Sequence, residues 1–325
     1  MKEKRLFRFG VIVLSIVLVA CTGGSSEAGC PAIDGREINV VATTPMIGEF
    51  VSQVGGDNIN LTVLMPAEVD PHNYAPSPQD AGKIADADLV FYTGLRYEPS
   101  ALVKLLENSA CSSEVLAEVG ENVFPIEFKE EGHDDHDEEG HDDHEGHDHG
   151  AYDPHFWFDP NRVSYAAEYI ESKLVEFDPS NASDYETAGK AYVTELKGLV
   201  SQVSELISTI PSQNRKLITT HESLGYLEAK FGLEVLSTII PSVDSANEIS
   251  PSQLVGVIDV IEDNNVKVIF IEAEAPSVYA DTIVSETGIK AVEGLWVETL
   301  KEGQSYPEFL FEAVELIVEN LTNTD

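Results

Sequence analysis

Behind Ser183, apolar residues recur at Tyr192, Leu196, Leu199, Val203, Leu206 and Ile210, at spacings of three and four. That spacing gathers them on one face of an α-helix. Ser183-Asp184-Tyr185-Glu186 reads as a capping box at its start, and Pro211 stops it. The run from Asp184 to Ile210 therefore predicts one helix of about 27 residues, or ~40 Å at 1.5 Å per residue. A helix that long is expected to be a strut between two bodies, not a core helix of either one. The chain is thus divided into a first lobe (36–182), a linking helix (183–210) and a second lobe (211–325).

Both lobes alternate strand and helix patterns. In the first, strands are expected at 37–43, 60–65 and 88–92 and weakly near Val115, with helices at 45–54, 78–87 and 98–108. Asp159-Pro160 has the form of a helix start, with aspartate as N-cap and proline in the first turn, and that helix is expected to run to Pro179. In the second, strands are expected at 216–220, 233–237, 266–272 and 290–292, with helices at 223–231, 251–264, 280–287 and 307–321. Such alternation predicts an α/β protein: two Rossmann-like lobes, each with a mainly parallel sheet, joined by one long helix. No sequence repeat relates the halves.

The amino-terminal stretch bears on location. Lys2, Lys4, Arg5 and Arg8 precede an apolar run from Val11 to Ala20, which is shorter than the ~20 residues a spanning helix needs. Leu18-Val19-Ala20-Cys21 resembles a bacterial lipoprotein cleavage box. Residues 1–20 are then a signal peptide, Cys21 the lipid-bearing new terminus, and 21–35 a flexible tether. The protein is expected outside the cytoplasm, at the cell surface or in the periplasm, held to the membrane by that lipid. Two cysteines remain, Cys30 and Cys111. Outside the cytoplasm they can pair, tying the tether's end to the first lobe, or stand as two free thiols; no spacing rule decides between these. The net charge of −39, from 19 basic and 58 acidic residues, argues against nucleic acid as a partner.

Part of that charge is concentrated between Glu127 and Gly150, where six histidines and twelve carboxylates surround one lysine. Such a tract is too polar to bury and is expected to be a solvated loop. His133, His136, His141, His144, His147 and His149 can bind a borderline-soft divalent cation, but without fixed spacing the binding is weak and multiple. The other three histidines have distinctive settings. His72 lies in Val69-Asp70-Pro71-His72-Asn73-Tyr74, and His155 in Asp153-Pro154-His155-Phe156-Trp157-Phe158-Asp159-Pro160. His221 directly follows the strand ending at Thr220. Two of them fall beyond strand ends, where open α/β sheets place ligands. Three imidazoles suit Zn²⁺, which commonly takes a fourth, oxygen ligand as well.

These phrases carry a resemblance over essentially the whole mature chain. Asp70-Pro71-His72-x-Tyr74 with Pro76-x-Pro78-x-Asp80, Ala87-Asp88-Leu89-Val90-Phe91 with Gly94-Leu95, the bracketed His155 phrase, Thr220-His221 with Gly225-Tyr226, and Ile269-Phe270-x-Glu272 occur in order. The sequence resembles the solute-binding subunit of zinc and manganese ABC importers, the group with a rigid linking helix. The resemblance implies a metal site between the lobes, with His72, His155 and His221 in three of four ligand positions. The fourth is usually aspartate; here Leu295-Trp296-Val297-Glu298-Thr299-Leu300 puts Glu298 there. It further implies a permease and its ATPase subunit as partners, binding without turnover, and a monomer. Manganese members usually carry a carboxylate where this chain has His221, so zinc is the implied cargo. A competing class is a zinc hydrolase, in which three histidines activate water and Glu298 acts as base. Affinity is expected to fall steeply below about pH 6, because protons compete for imidazole. Glu98, Asp153, Asp159 and Glu222 are candidates to orient the imidazoles.

Overall fold

The computed structural model describes residues 30, 33, 35–128, 152–275 and 278–322. The expected signal peptide, Cys21, most of the tether and all six tract histidines lie outside the described residues. The first sheet contains β1 (Ile38–Ala42), β2 (Ile59–Val63), β3 (Leu89–Tyr92) and β4 (Leu116–Glu118), all parallel, in the order β2-β1-β3-β4. The second contains β5 (Lys216–His221), β6 (Glu234–Ile240), β7 (Val268–Glu272) and β8 (Lys290–Leu295), parallel in the order β6-β5-β7-β8. The second order repeats the first strand for strand, a duplication invisible in the side chains. Crossovers are made by α1 (Pro45–Gly55), α2 (Pro78–Ala85), α3 (Ser100–Ser109), α6 (Gly225–Phe231), α7 (Pro251–Asn264) and α8 (Ala280–Thr287). Helix α4 (Pro160–Phe177) packs on α1, α5 (Ala182–Ser208) crosses to the second lobe, and α9 (Tyr306–Thr322) closes the chain.

Alternate side chains of each strand face opposite layers, as a period of two requires. Val41 and Val90 point outward to Ile84, Leu102 and Leu106 of α2 and α3. Ile218, Ile269 and Ile271 point outward to Val257, Ile261 and Ile283 of α7 and α8. The inward residues, among them Val40, Phe91, Leu217 and Phe270, belong to one apolar cluster. That cluster runs unbroken through α1, α4, α5 and α9 and joins both lobes.

Helix α5 has 27 residues and crosses between the lobes, but two expectations about it need correction. It is not a bare strut: Tyr185, Tyr192, Leu196, Leu199, Val203 and Ile207 are buried in the common core. Nor does it begin with a capping box. The 3₁₀ turn Pro179–Asn181 leads straight into the helix, so Ser183 is already helical, and Asn181 caps it without a side-chain bond. The carbonyl of Ser183 accepts from Thr187 Oγ1 at 2.7 Å, and Glu186 pairs with Lys190 at 3.0 Å. Asp178 holds the turn instead, accepting from Asn181 Nδ2 at 2.7 Å and Tyr185 OH at 2.9 Å. The start of α4 is as read, with Asp159 accepting from Asn161 N and Pro160 in the first turn.

Cys30 and Cys111 are joined in a disulfide across 81 residues of sequence. Among the described residues no helix is long and apolar enough to cross a membrane. In both sheets the strand order reverses between the first and third strands, β1 and β3 in one lobe and β5 and β7 in the other. The crevice beyond their carboxyl ends is where such sheets receive ligands.

Candidate metal centre

His221 is the last residue of β5, at the reversal point of the second sheet. Its Nδ1 lies 2.6 Å from Oε2 of Glu272, the last residue of the neighbouring β7. A carboxylate only accepts, so Nδ1 carries the proton and Nε2 is left facing the space between the lobes. The other oxygen of Glu272 accepts from the His221 N–H at 3.2 Å and Ser223 Oγ at 3.3 Å. Both side chains are buried.

The two Asp-Pro-His phrases build the same turn. Asp70 Oδ1 accepts from the His72 N–H at 2.9 Å, and Asp153 Oδ1 from the His155 N–H at 2.8 Å. An aspartate bonding two residues ahead, with proline fixing φ between, is a turn that local chemistry alone specifies. Asp153 Oδ1 also holds His155 Nδ1 at 2.8 Å, again turning Nε2 inward. Asp70 uses its second oxygen otherwise, accepting from Asn73 Nδ2 at 2.8 Å and, from the opposite lobe, Ser245 Oγ at 2.9 Å.

Glu298 follows β8 on a loop shaped by Glu274. One oxygen of Glu274 takes the N–H groups of Val297, Glu298 and Thr299 at 3.1, 2.9 and 3.2 Å. Burial pushes the Glu274 carboxyl up to about 8 against these bonds. Trp157 Nε1 donates to the Val297 carbonyl at 2.8 Å, and Tyr306 OH to the Trp157 carbonyl at 2.7 Å. The loop bearing Glu298 is thereby fastened to the segment bearing His155.

The result is a closed constellation. His72, His155, His221 and Glu298 each offer one ligand atom, all within 4.8 Å of one another. Glu298 Oε1 lies 3.2 Å from His155 Nε2, 3.5 Å from His72 Nε2 and 2.7 Å from His221 Nε2. The Nε2 atoms of His72 and His221 are buried without a hydrogen bond of acceptable geometry. Buried polar atoms left so are costly, and a cation bound among them satisfies all four at once. A tetrahedral zinc with ~2.0–2.1 Å bonds needs ligand atoms about 3.3 Å apart, close to the 2.7–3.5 Å that separate Glu298 Oε1 from the three Nε2 atoms. Burial alone lowers the His155 imidazole, but Glu298 and Asp153 outweigh it and raise it to about 9. His221 is raised well above its ordinary value by Glu272 and Glu298, again against burial. Glu298 is pulled well below the usual range because the three imidazoles overcome burial.

Of the four orienting carboxylates expected, Asp153 alone touches a cluster imidazole through a described bond. Glu98 is buried and accepts from Thr43 Oγ1, Thr93 N and Gly94 N at 2.7, 2.7 and 2.9 Å, at the reversal point of the first sheet. Asp159 caps α4, and Glu222 accepts from Thr238 Oγ1 at 2.9 Å. Sequence reasoning missed Glu272, Glu274 and Tyr97. Glu272 had a visible signal, a carboxylate ending the most apolar strand of the chain, where burial demands a partner.

The family model of ZnuA, zinc-uptake complex component A, periplasmic, matches residues 40–320. A Bacillus subtilis (strain 168) protein named high-affinity zinc uptake system protein ZnuA is 32% identical over 321 residues, 96% of each chain. The manganese ABC transporter substrate-binding lipoprotein PsaA of Streptococcus anginosus is 28% identical over 328 residues, 98% of this chain and 99% of its own. Among solved structures, the periplasmic zinc-binding protein TroA from Treponema pallidum has the same fold. It superposes with a TM-score of 0.74 at 23% identity, over 88% of this chain and 100% of that one. With a match of this extent and two sheets of identical order bridged by one long helix, the chain belongs to the ZnuA family of periplasmic metal-uptake components.

Proposed function

We propose that the protein is a receptor outside the cytoplasm that captures Zn²⁺ at His72, His155, His221 and Glu298. It hands the ion to an ABC permease driven by an ATPase subunit. The convergence of three buried imidazoles and one carboxylate between the lobes carries this reading. Relatives named for manganese and for zinc both exist, and the donor set favours zinc, since manganese prefers an oxygen-rich shell. Four donors closing on one point leave no fixed place for a reacting water, which favours carriage over hydrolysis. Cys21 serves as the lipid-bearing terminus, and the tract histidines 133–149 act as a weak collector around the tight site.

Metal content and competitive titration of the mature protein test the proposal. One tight zinc site is expected, retained when the tract is deleted. His155→Ala is expected to weaken it by more than the ~10–100-fold that changes to outer partners cost. Unchanged affinity in that variant removes the cluster from the assignment, and a preference for manganese over zinc in the competition moves the reading to manganese.

A further inference from the structure

Glu298 presents its two oxygens to different partners. Oε1 faces the three imidazoles at 2.7–3.5 Å, whereas Oε2 accepts a hydrogen bond from Tyr97 OH at 2.9 Å. The same hydroxyl lies 3.0 Å from the Glu298 carbonyl oxygen. Tyr97 thus grips the residue at side chain and backbone from the opposite lobe.

The aim of this hydroxyl is over-determined. The Tyr97 ring is buried and stands edge-on to His72 at 5.0 Å, to His155 at 6.0 Å and to Trp157 at 5.3 Å. The three residues before it, Gly94, Leu95 and Arg96, all have positive φ, at 76°, 52° and 64°. Leucine and arginine take that conformation only when the surroundings enforce it. The enforcement is visible in Glu98, which holds Thr93 N and Gly94 N, and in Glu118, which holds Leu95 N at 2.9 Å. A strained turn kept in place by two carboxylates delivers one phenol to one oxygen of one ligand.

We propose that Tyr97 is a specificity-determining positioning residue, holding Glu298 to a single metal-facing oxygen and so limiting the centre to four donors. This rests on the zinc-centre reading above and adds what sets its coordination number. Three nitrogens and one oxygen suit tetrahedral zinc. A carboxylate free to turn both oxygens inward supplies five donors, nearer to what manganese accepts.

The test uses Tyr97→Phe, which keeps the ring and removes the hydroxyl, in the full mature chain with one equivalent of metal. With Co²⁺ as a spectroscopic probe, wild type is expected to show the intense visible bands of a four-coordinate ion. In Tyr97→Phe those bands are expected to weaken severalfold. In competition, zinc affinity is expected to fall about 10–100-fold while manganese affinity holds, so the zinc-to-manganese ratio narrows by at least about tenfold. X-ray absorption of zinc-loaded wild type, which needs no variant to fold, is expected to show one oxygen in the first shell. Unchanged Co²⁺ bands with equal losses for both metals, or two carboxylate oxygens on zinc in wild type, overturn the inference and leave the centre standing. Failure of wild type to bind any metal tightly sinks the centre itself.

Discussion

Loading the centre should expel close to two protons per zinc at pH 7. Nδ1 of His155 and Nδ1 of His221 are committed as donors to Asp153 and Glu272. The Nε2 atom of His155 then sits in hydrogen-bonding position 3.2 Å from Glu298 Oε1, which needs a proton between them, and that of His221 stands 2.7 Å from the same oxygen, which attracts an imidazolium and repels a lone pair. The shifts agree in sign: His155 is raised to about 9 and His221 well above its ordinary value, so both are charged at neutral pH in the empty site. Charge balance points to the same number. Exchanging two protons for Zn²⁺ leaves the net charge of the buried cluster unchanged, which a low-dielectric site favours. Because both imidazoles are raised, competition is present at pH 7, and the share of His155 in it is relieved only as pH rises through about 9. The affinity therefore starts to fall well above the pH 6 expected for ordinary histidines. Two protons mean about 100-fold in affinity per pH unit, or about 2.7 kcal/mol. Titration calorimetry at pH 7 in buffers of different ionisation enthalpy gives the number released as a slope. A slope near zero would show that the imidazoles are neutral in the empty site and would refute the reasoning.

Glu272→Gln keeps the shape beside His221 but removes the charge, and is expected to cost about 10–100-fold in zinc affinity; equal affinity counts against its role. Gly225→Ala places a Cβ 2.6 Å from Asp153 Oδ2, and Asp153 cannot yield without loosening His155. Zinc binding should weaken although alanine is the better helix former, and an unaltered affinity shows that α6 gives way instead. Cys111→Ser opens a disulfide spanning 81 residues and is expected to remove about 2–4 kcal/mol of stability, read as a lower denaturation midpoint of the metal-free protein. An unchanged midpoint would show that the bridge constrains nothing.

Much of the fold was legible because local signals agreed with tertiary ones. Asp159-Pro160 starts α4 as read, and α7 and α8 have the bounds that their patterns predict. Ser183 misled because a capping box has meaning only where the chain enters the helix, and Asp178 had already turned the chain before it. His72 and His155 were readable from Asp-Pro brackets that build the same turn wherever they occur. Tyr97 was not, since nothing in Gly94-Leu95-Arg96 announces three left-handed residues; that conformation comes from Glu98 and Glu118, brought in by the fold. Glu274 was hidden for a related reason. Its partners are backbone N–H groups more than twenty residues away, and backbone groups leave no mark in a sequence.

Zinc binding should leave the overall shape almost unchanged. A hinge requires a few residues free to absorb a change in φ and ψ, yet the crossing element, α5, is one unbroken helix buried in a core shared by both lobes. The lobes are also bonded directly: Tyr97 to Glu298, Trp157 to Val297, Tyr226 to Asp153 and Ser245 to Asp70. Wide opening would break these bonds and expose the common apolar surface, whereas loading asks only for ligand atoms already within 4.8 Å of one another to reset to about 3.3 Å. Side-chain and loop adjustments of that size suffice. Small-angle scattering of metal-free and zinc-loaded protein should therefore give the same radius of gyration, about 20 Å for a compact body of this length. A compaction of more than about 1 Å, of the kind a hinged closure produces, would mean that the shared core yields and that α5 is no spine.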